Sequence, residues 1–169
     1  MSVHDDIAID ISPLCGDNGV FCIAEGGIPP NEAISIYPGY YRLISRNTGA
    51  PPLKYCISIH PATLPDPDVT EEWVIDASRI KYSKTDGVGH LINSCHPGLP
   101  PPYNKHNCVF IEESPDEYTS ENRPPLVFVV TSSYIPEGGE LLMDYHDLLE
   151  GMHSPITNSV LHCSCFKCV

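Results

Sequence analysis

The chain has 169 residues, 41% of them hydrophobic, which is the size and make-up of one globular domain and not of a disordered tail. Twenty-two acidic residues against nine basic ones leave a net charge of −13, so direct nucleic-acid binding through phosphates, which needs a basic face, is not expected. No apolar stretch approaches the ~20 residues that cross a bilayer, and Met1–Asp6 has neither the basic start nor the apolar run of a secretion signal, so the expected protein is intracellular and not secreted. The acidic surface suits a basic partner such as a lysine-rich peptide, or serves solubility alone.

Eighteen prolines and twelve glycines, scattered along the chain, favour short strands joined by turns over long helices. In chain order, short apolar or period-two runs fall at Val20–Ile23, Ala33–Tyr37, Tyr55–Ile59, Trp73–Asp76, Val109–Ile111, Leu126–Val130 and Glu140–Asp144. The strongest, Val127–Val130, reads as a strand buried on both faces. Gly89–Cys95 and His146–Met152 suit single turns or short helices. Thr48–Pro52, Pro61–Asp68, Gly98–Lys105 and the polar stretch Ser114–Pro125 read as surface loops. The pattern is mainly β. One boundary is expected near Gly151, between a body (residues 1–150) and a tail (151–169).

Three of the eight cysteines, Cys163, Cys165 and Cys168, crowd into the end of that tail. Thiolates this close converge on one ion with only a small turn between them. A structural zinc takes four tetrahedral ligands, so the tail needs a fourth from elsewhere, and both His162 and Cys95 are candidates. Such a site supplies on the order of 10 kcal/mol of folding free energy, comparable to the ~5–15 kcal/mol of a whole domain.

Five motifs in order give the chain a wider identity. They are Asp17-Asn18-Gly19-Val20-Phe21 with Ile28–Ile34, then Tyr37-Pro38-Gly39, then Ile75-Asp76-Ala77. His90-Leu91-Ile92-Asn93-Ser94-Cys95-His96-Pro97 with Asn107-Cys108-Val109-Phe110 follows, and Gly138–Tyr145 is the last. From about Asp17 to Cys168 this series resembles the SET domain, and the cysteine tail resembles the post-SET segment. The resemblance implies a fold of several small sheets of short strands, few short helices and a knot-like C-terminal segment. It implies S-adenosylmethionine as methyl donor and a lysine of a basic peptide, by default a histone tail in the nucleus, as acceptor.

Residue by residue, the resemblance assigns the catalytic tyrosine to Tyr145 and the lysine channel to Tyr37 and Phe110. Phenylalanine at that last position implies room for more than one methyl. It assigns cofactor contact to Asp17, Asn18, Gly19, Asn93 and Ser94, with Phe166 as an apolar wall. It assigns structural zinc to Cys95 with Cys163, Cys165 and Cys168. Three departures mark this chain: Asp17 replaces the first motif glycine, no histidine follows Asn93, and the last cysteine spacing is two residues instead of four. They leave a second reading, a SET-fold binding or scaffold module without activity.

The chemistry suits the residues. The nucleophile must be a neutral amine, whereas free lysine titrates near ~10.4. An apolar, aromatic-walled channel lowers that value, and a tyrosine hydroxyl orients the amine. Alignment and desolvation then supply most of the rate.

Overall fold

A computed structural model describes residues 5–45, 55–59, 63–68, 70–80 and 87–145. The strands are β1 (Ile7–Ile11), β2 (Asn18–Cys22), β3 (Ala33–Ile36), β4 (Tyr40–Ser45), β5 (Cys56–Ile59), β6 (Glu71–Asp76), β7 (Asn93–Ser94), β8 (Cys108–Glu112), β9 (Val127–Thr131) and β10 (Leu142–Met143). A 3-10 turn, Gly89–Leu91, precedes β7, and α1 (Pro115–Ser120) is the one α-helix among the described residues. The protein is mainly β, in four small sheets. β1–β2 is an antiparallel hairpin, β3-β9-β8 and β4-β6-β5 are antiparallel three-stranded sheets, and β7 pairs with β10 in parallel.

These elements enclose two cores. One joins Val20, Ile28, Ile92, Val129, Leu141 and Met143. The other joins Tyr37, Ile57, Ile75 and Val127. Phe110 packs against both, so the residue expected to line a channel sits at the seam between them.

The apolar runs predicted as strands all contain strand residues, with ends shifted by a few positions. Three expectations change. β9 is not buried on both faces: Val127, Val129 and Thr131 are buried while Phe128 and Val130 are half-buried, because its sheet is fully covered on one side only. Ser114–Pro125 is not wholly loop. Pro115 opens α1, with Asp116 and Glu117 in its first turn, where a fixed φ and negative charge both favour a helix start. β1 and β4 were not expected. β1 does alternate, but Ile11 faces solvent; β4 has no clean alternation and owes its form to a six-pair ladder with β6.

Two local devices hold the frame. Gly39 has φ +151°, and a Cβ there would lie 2.7 Å from the Asp76 carbonyl oxygen and 2.6 Å from Ile75 Cγ2. Only glycine lets the chain after Tyr37 press this closely on β6. Across the α1 excursion, Arg123 grips Glu113 with two N–H donors at 2.6 Å each, and Leu126 N–H donates to the same carboxylate at 3.0 Å. That fork closes the loop between β8 and β9.

Candidate functional site

The parallel pair is the foundation. Leu142 lies opposite Asn93 and Met143 opposite Ser94, and Cys95 N–H donates to Met143 O at 2.7 Å. Asn107 then clamps β10 from the other side. Its Nδ2 donates to Glu140 O at 2.8 Å, its Oδ1 accepts Leu142 N–H at 2.7 Å, and its own N–H donates to Leu142 O at 2.9 Å. The strand that delivers Tyr145 is therefore held on both edges.

A polar network, buried at Ser12 and Glu140 and half-buried at Asn93, ties this pair to the hairpin. Glu140 accepts Ser12 Oγ–H at 2.9 Å and Asn93 Nδ2–H at 2.8 Å. The same Asn93 amide donates to Asn18 O at 3.2 Å, and Cys15 Sγ donates to Asn93 Oδ1 at 3.7 Å. Gly19 lies against this network: a Cβ there would sit 2.5 Å from Glu140 Oε1, 3.0 Å from Ser12 Cβ and 3.2 Å from Asn93 Nδ2. The glycine is required by the carboxylate packed on it. Gly19→Ala is expected to cost about 1–3 kcal/mol through overpacking, read as a lower urea midpoint with unchanged slope. A stability equal to wild type would mean the network yields without cost.

The second half of the site is aromatic. Tyr37, 6% exposed, meets Phe110 edge to face at 5.3 Å and His90 at 6.4 Å, and Tyr55 meets His90 at 5.9 Å. Tyr145 packs against the first core and donates its hydroxyl to Ile92 O. Burial raises the titration of Tyr145 above the usual phenol range, and Tyr55 and Cys15 add to it. Burial, followed by Tyr145, does the same for Tyr37. Both phenols are thus neutral at physiological pH, with oxygens that accept but do not readily ionise.

His90 is 7% exposed, and its buried Nδ1 has no hydrogen-bond partner among the described residues. Burial lowers its pKa from 6.5 to about 4. Between those values the unfolded chain binds more protons than the folded one. The stability that depends on a neutral His90 is therefore present above pH 6.5 and is lost as pH falls towards 4. That loss amounts to at most about 3 kcal/mol. Urea unfolding of wild type and His90→Leu through this window checks it: wild type should lose stability relative to the variant as pH falls, and parallel curves would reject the assignment.

Of the residues picked from the sequence, Asn18, Gly19 and Asn93 meet in the polar network, and Asp17 is exposed beside it, its Oδ1 accepting Asn18 N–H at 2.8 Å. Ser94 is buried, and its hydroxyl lies 3.4 Å from Tyr145 N, accepting that N–H, so its side chain acts on Tyr145 and not on an open face. Tyr37, Phe110 and Tyr145 line the aromatic half, and Cys95 directly follows β7. Phe166, Cys163, Cys165, Cys168 and His162 lie outside the described residues, as do the tail boundary at 151 and the segment expected to form a knot. Sequence reasoning missed Tyr55, His90, Cys15 and the clamp role of Asn107. Tyr55 carries φ +59°, a strained choice for a bulky residue that no local pattern signalled.

The donor set fits a small zwitterionic cation. Asp17 and Asn18 are exposed polar groups and Asn93 is half-buried beside them, while the ring faces of the aromatic half favour positive charge. The sequence matches no known family model and no curated protein. Among solved structures, the chain is similar to CpSET8 from Cryptosporidium at 23% identity and a TM-score of 0.49, over 82% of this chain and 56% of that one. The chain thus spans little more than half the length of that protein.

Proposed function

We propose that this protein is an S-adenosylmethionine-dependent protein-lysine N-methyltransferase, with a lysine of a basic peptide, first of all a nuclear histone tail, as acceptor. One observation carries the reading: distant segments meet around β7, with Asn18 against Asn93, Tyr37 against Phe110 at the seam of the two cores, and Tyr145 against the first core with its hydroxyl on Ile92 O. The net charge of −13 supports a basic acceptor.

In this reading Asn18, Gly19 and Asn93 hold the cofactor beside Tyr145, with Asp17 at the solvent edge. The cofactor, when bound, supplies an electrophilic methyl group on a positive sulfur. The protein supplies the rest. Tyr37 and Phe110 wall a channel that strips water from the lysine side chain, which lowers its pKa and releases the neutral amine. Tyr145 spends its own proton on the Ile92 carbonyl, so its oxygen presents lone pairs to the amine N–H and fixes its direction. A phenol held neutral by burial orients and does not act as a base.

The test is calorimetric titration of the metal-loaded full chain with S-adenosylmethionine, followed by methyl transfer to lysine-bearing basic peptides. Micromolar binding with transfer supports the proposal. Absence of binding in folded protein overturns it in favour of a non-catalytic scaffold. The observation that favours that second reading is the Asn93 side chain, whose amide is already engaged by Glu140, Asn18 and Cys15.

A further inference from the structure

The parallel pairing of β7 with β10 continues past its last paired residues, Ser94 and Met143, with Cys95 N–H donating to Met143 O. One step further along each strand stand Cys95 and Asp144, side by side at the same end of the pair. A third chemical group, His106, reaches them from the end of the proline-rich loop Gly98–Lys105, an insertion between the Pro97 and Asn107 parts of the fourth motif. His106 is fixed by its neighbour Asn107, which holds β10 through three hydrogen bonds. The insertion is itself anchored, since His96 N–H donates to Tyr103 O at 2.9 Å and Tyr103 N–H to Pro100 O at 3.0 Å. The ligand atoms of Cys95, His106 and Asp144 all lie within 4.8 Å of one another.

We propose that Cys95, His106 and Asp144 form a zinc site whose ligands come from the body of the domain and not from the cysteine tail. The ligand set is one thiolate, one imidazole and one carboxylate, the mixture that zinc accepts and that harder ions such as magnesium or calcium do not. Ligands at tetrahedral angles on zinc, at bond lengths of about 2.0–2.3 Å, stand roughly 3.3–3.8 Å apart. The 4.8 Å envelope therefore closes with a shortening of at most about 1.0–1.5 Å between ligand atoms. His96, although next to Cys95 in sequence, is directed elsewhere: its Nδ1 accepts Gly98 N–H at 3.1 Å.

A zinc carrying these three ligands has one position left. It takes a water or at most one tail thiolate, which is incompatible with a site of Cys95 plus Cys163, Cys165 and Cys168. The metal then does a different job. It fastens the insertion to the ends of the two strands, one residue before Tyr145, and so fixes the backbone from which that side chain projects. The site depends on strand register and on the insertion alone, so it stands whether or not the chain transfers methyl groups.

Cobalt substitution in the full chain tests it. The spectrum should show one thiolate-to-cobalt charge transfer, or two if a tail thiolate completes the site, and its ligand-field bands should be those of a mixed nitrogen, oxygen and sulfur set. The triple variant Cys163→Ser, Cys165→Ser, Cys168→Ser should retain one equivalent of metal. His106→Ala should weaken metal affinity by about 100-fold or more, given that losing even an outer-shell partner costs about 10–100-fold. Because that variant could also unfold, His106→Cys provides a control: it should restore affinity and add one thiolate band. A four-thiolate spectrum unchanged by His106→Ala, or loss of all metal from the triple serine variant, overturns the proposal.

Discussion

Tyr145→Phe is expected to lower methyl-transfer turnover by about 100-fold or more, the scale of a lost alignment at a reacting centre, while affinity for S-adenosylmethionine stays unchanged. Among the described residues the hydroxyl hydrogen-bonds to the Ile92 carbonyl, and in the proposed mechanism its lone pairs set the amine on line. Phenylalanine keeps the ring, and hence the channel wall and the core contact, but removes the atom that fixes direction. Ile92 is buried in the first core, so its carbonyl also loses a donor, at a cost of about 1–3 kcal/mol in stability. Single-turnover kinetics with calorimetry separates the two effects. Equal losses in turnover and cofactor affinity would make Tyr145 a binding residue only, and unchanged turnover would remove it from the mechanism.

The largest effect on stability is expected at Asn107. Its side chain satisfies two buried main-chain groups at once, the Glu140 carbonyl and the Leu142 N–H. Leu142 is fully buried and Glu140 is 4% exposed, so water does not replace the amide without a rearrangement of β10. Leaving a buried group unpaired costs about 1–3 kcal/mol, so Asn107→Ala should lose roughly 2–6 kcal/mol, seen as a fall in melting temperature on the order of 10 °C for a chain of this size. Asn107→Asp separates the two bonds. A carboxylate still accepts from Leu142 N–H but meets the Glu140 carbonyl with a second acceptor, so its loss should match or exceed that of alanine. If aspartate behaves as wild type, the bond to Glu140 contributes nothing.

The strands were legible where a short apolar run and burial coincide. Tyr55–Ile59 and Trp73–Asp76 announced β5 and β6 because their side chains enter the second core. β4 stayed hidden because what forms it is a partner and not a pattern. The two-residue strand β7 is shorter than any periodicity can register, and only motif order drew attention to it, whereas β10 lies inside the apolar run Glu140–Asp144. The same limit applies to the site. Tyr37, Phe110 and Tyr145 were visible through their motifs. His90 was passed over as a lead-in to the Asn93 motif, and only its burial, its Nδ1 without a partner among the described residues and its contacts with Tyr37 and Tyr55 make it part of the aromatic half. Asp17 and Gly19 are adjacent in one motif yet differ physically, one exposed and one pinned by Glu140, a distinction that depends on a carboxylate far along the chain.

The bond from Ser12 to Glu140 spans 128 residues and that from Asn93 to Glu140 spans 47. Contacts between such distant points carry a large loop-closure cost and form late in folding. During synthesis the hairpin and both three-stranded sheets emerge before Glu140 and Tyr145, so the apparatus assembles only when nearly all of the described chain has left the ribosome. In refolding, the change in the Tyr145 environment should trail the burial of Trp73, and a chain stopped before Glu140 has both cores in outline and no centre.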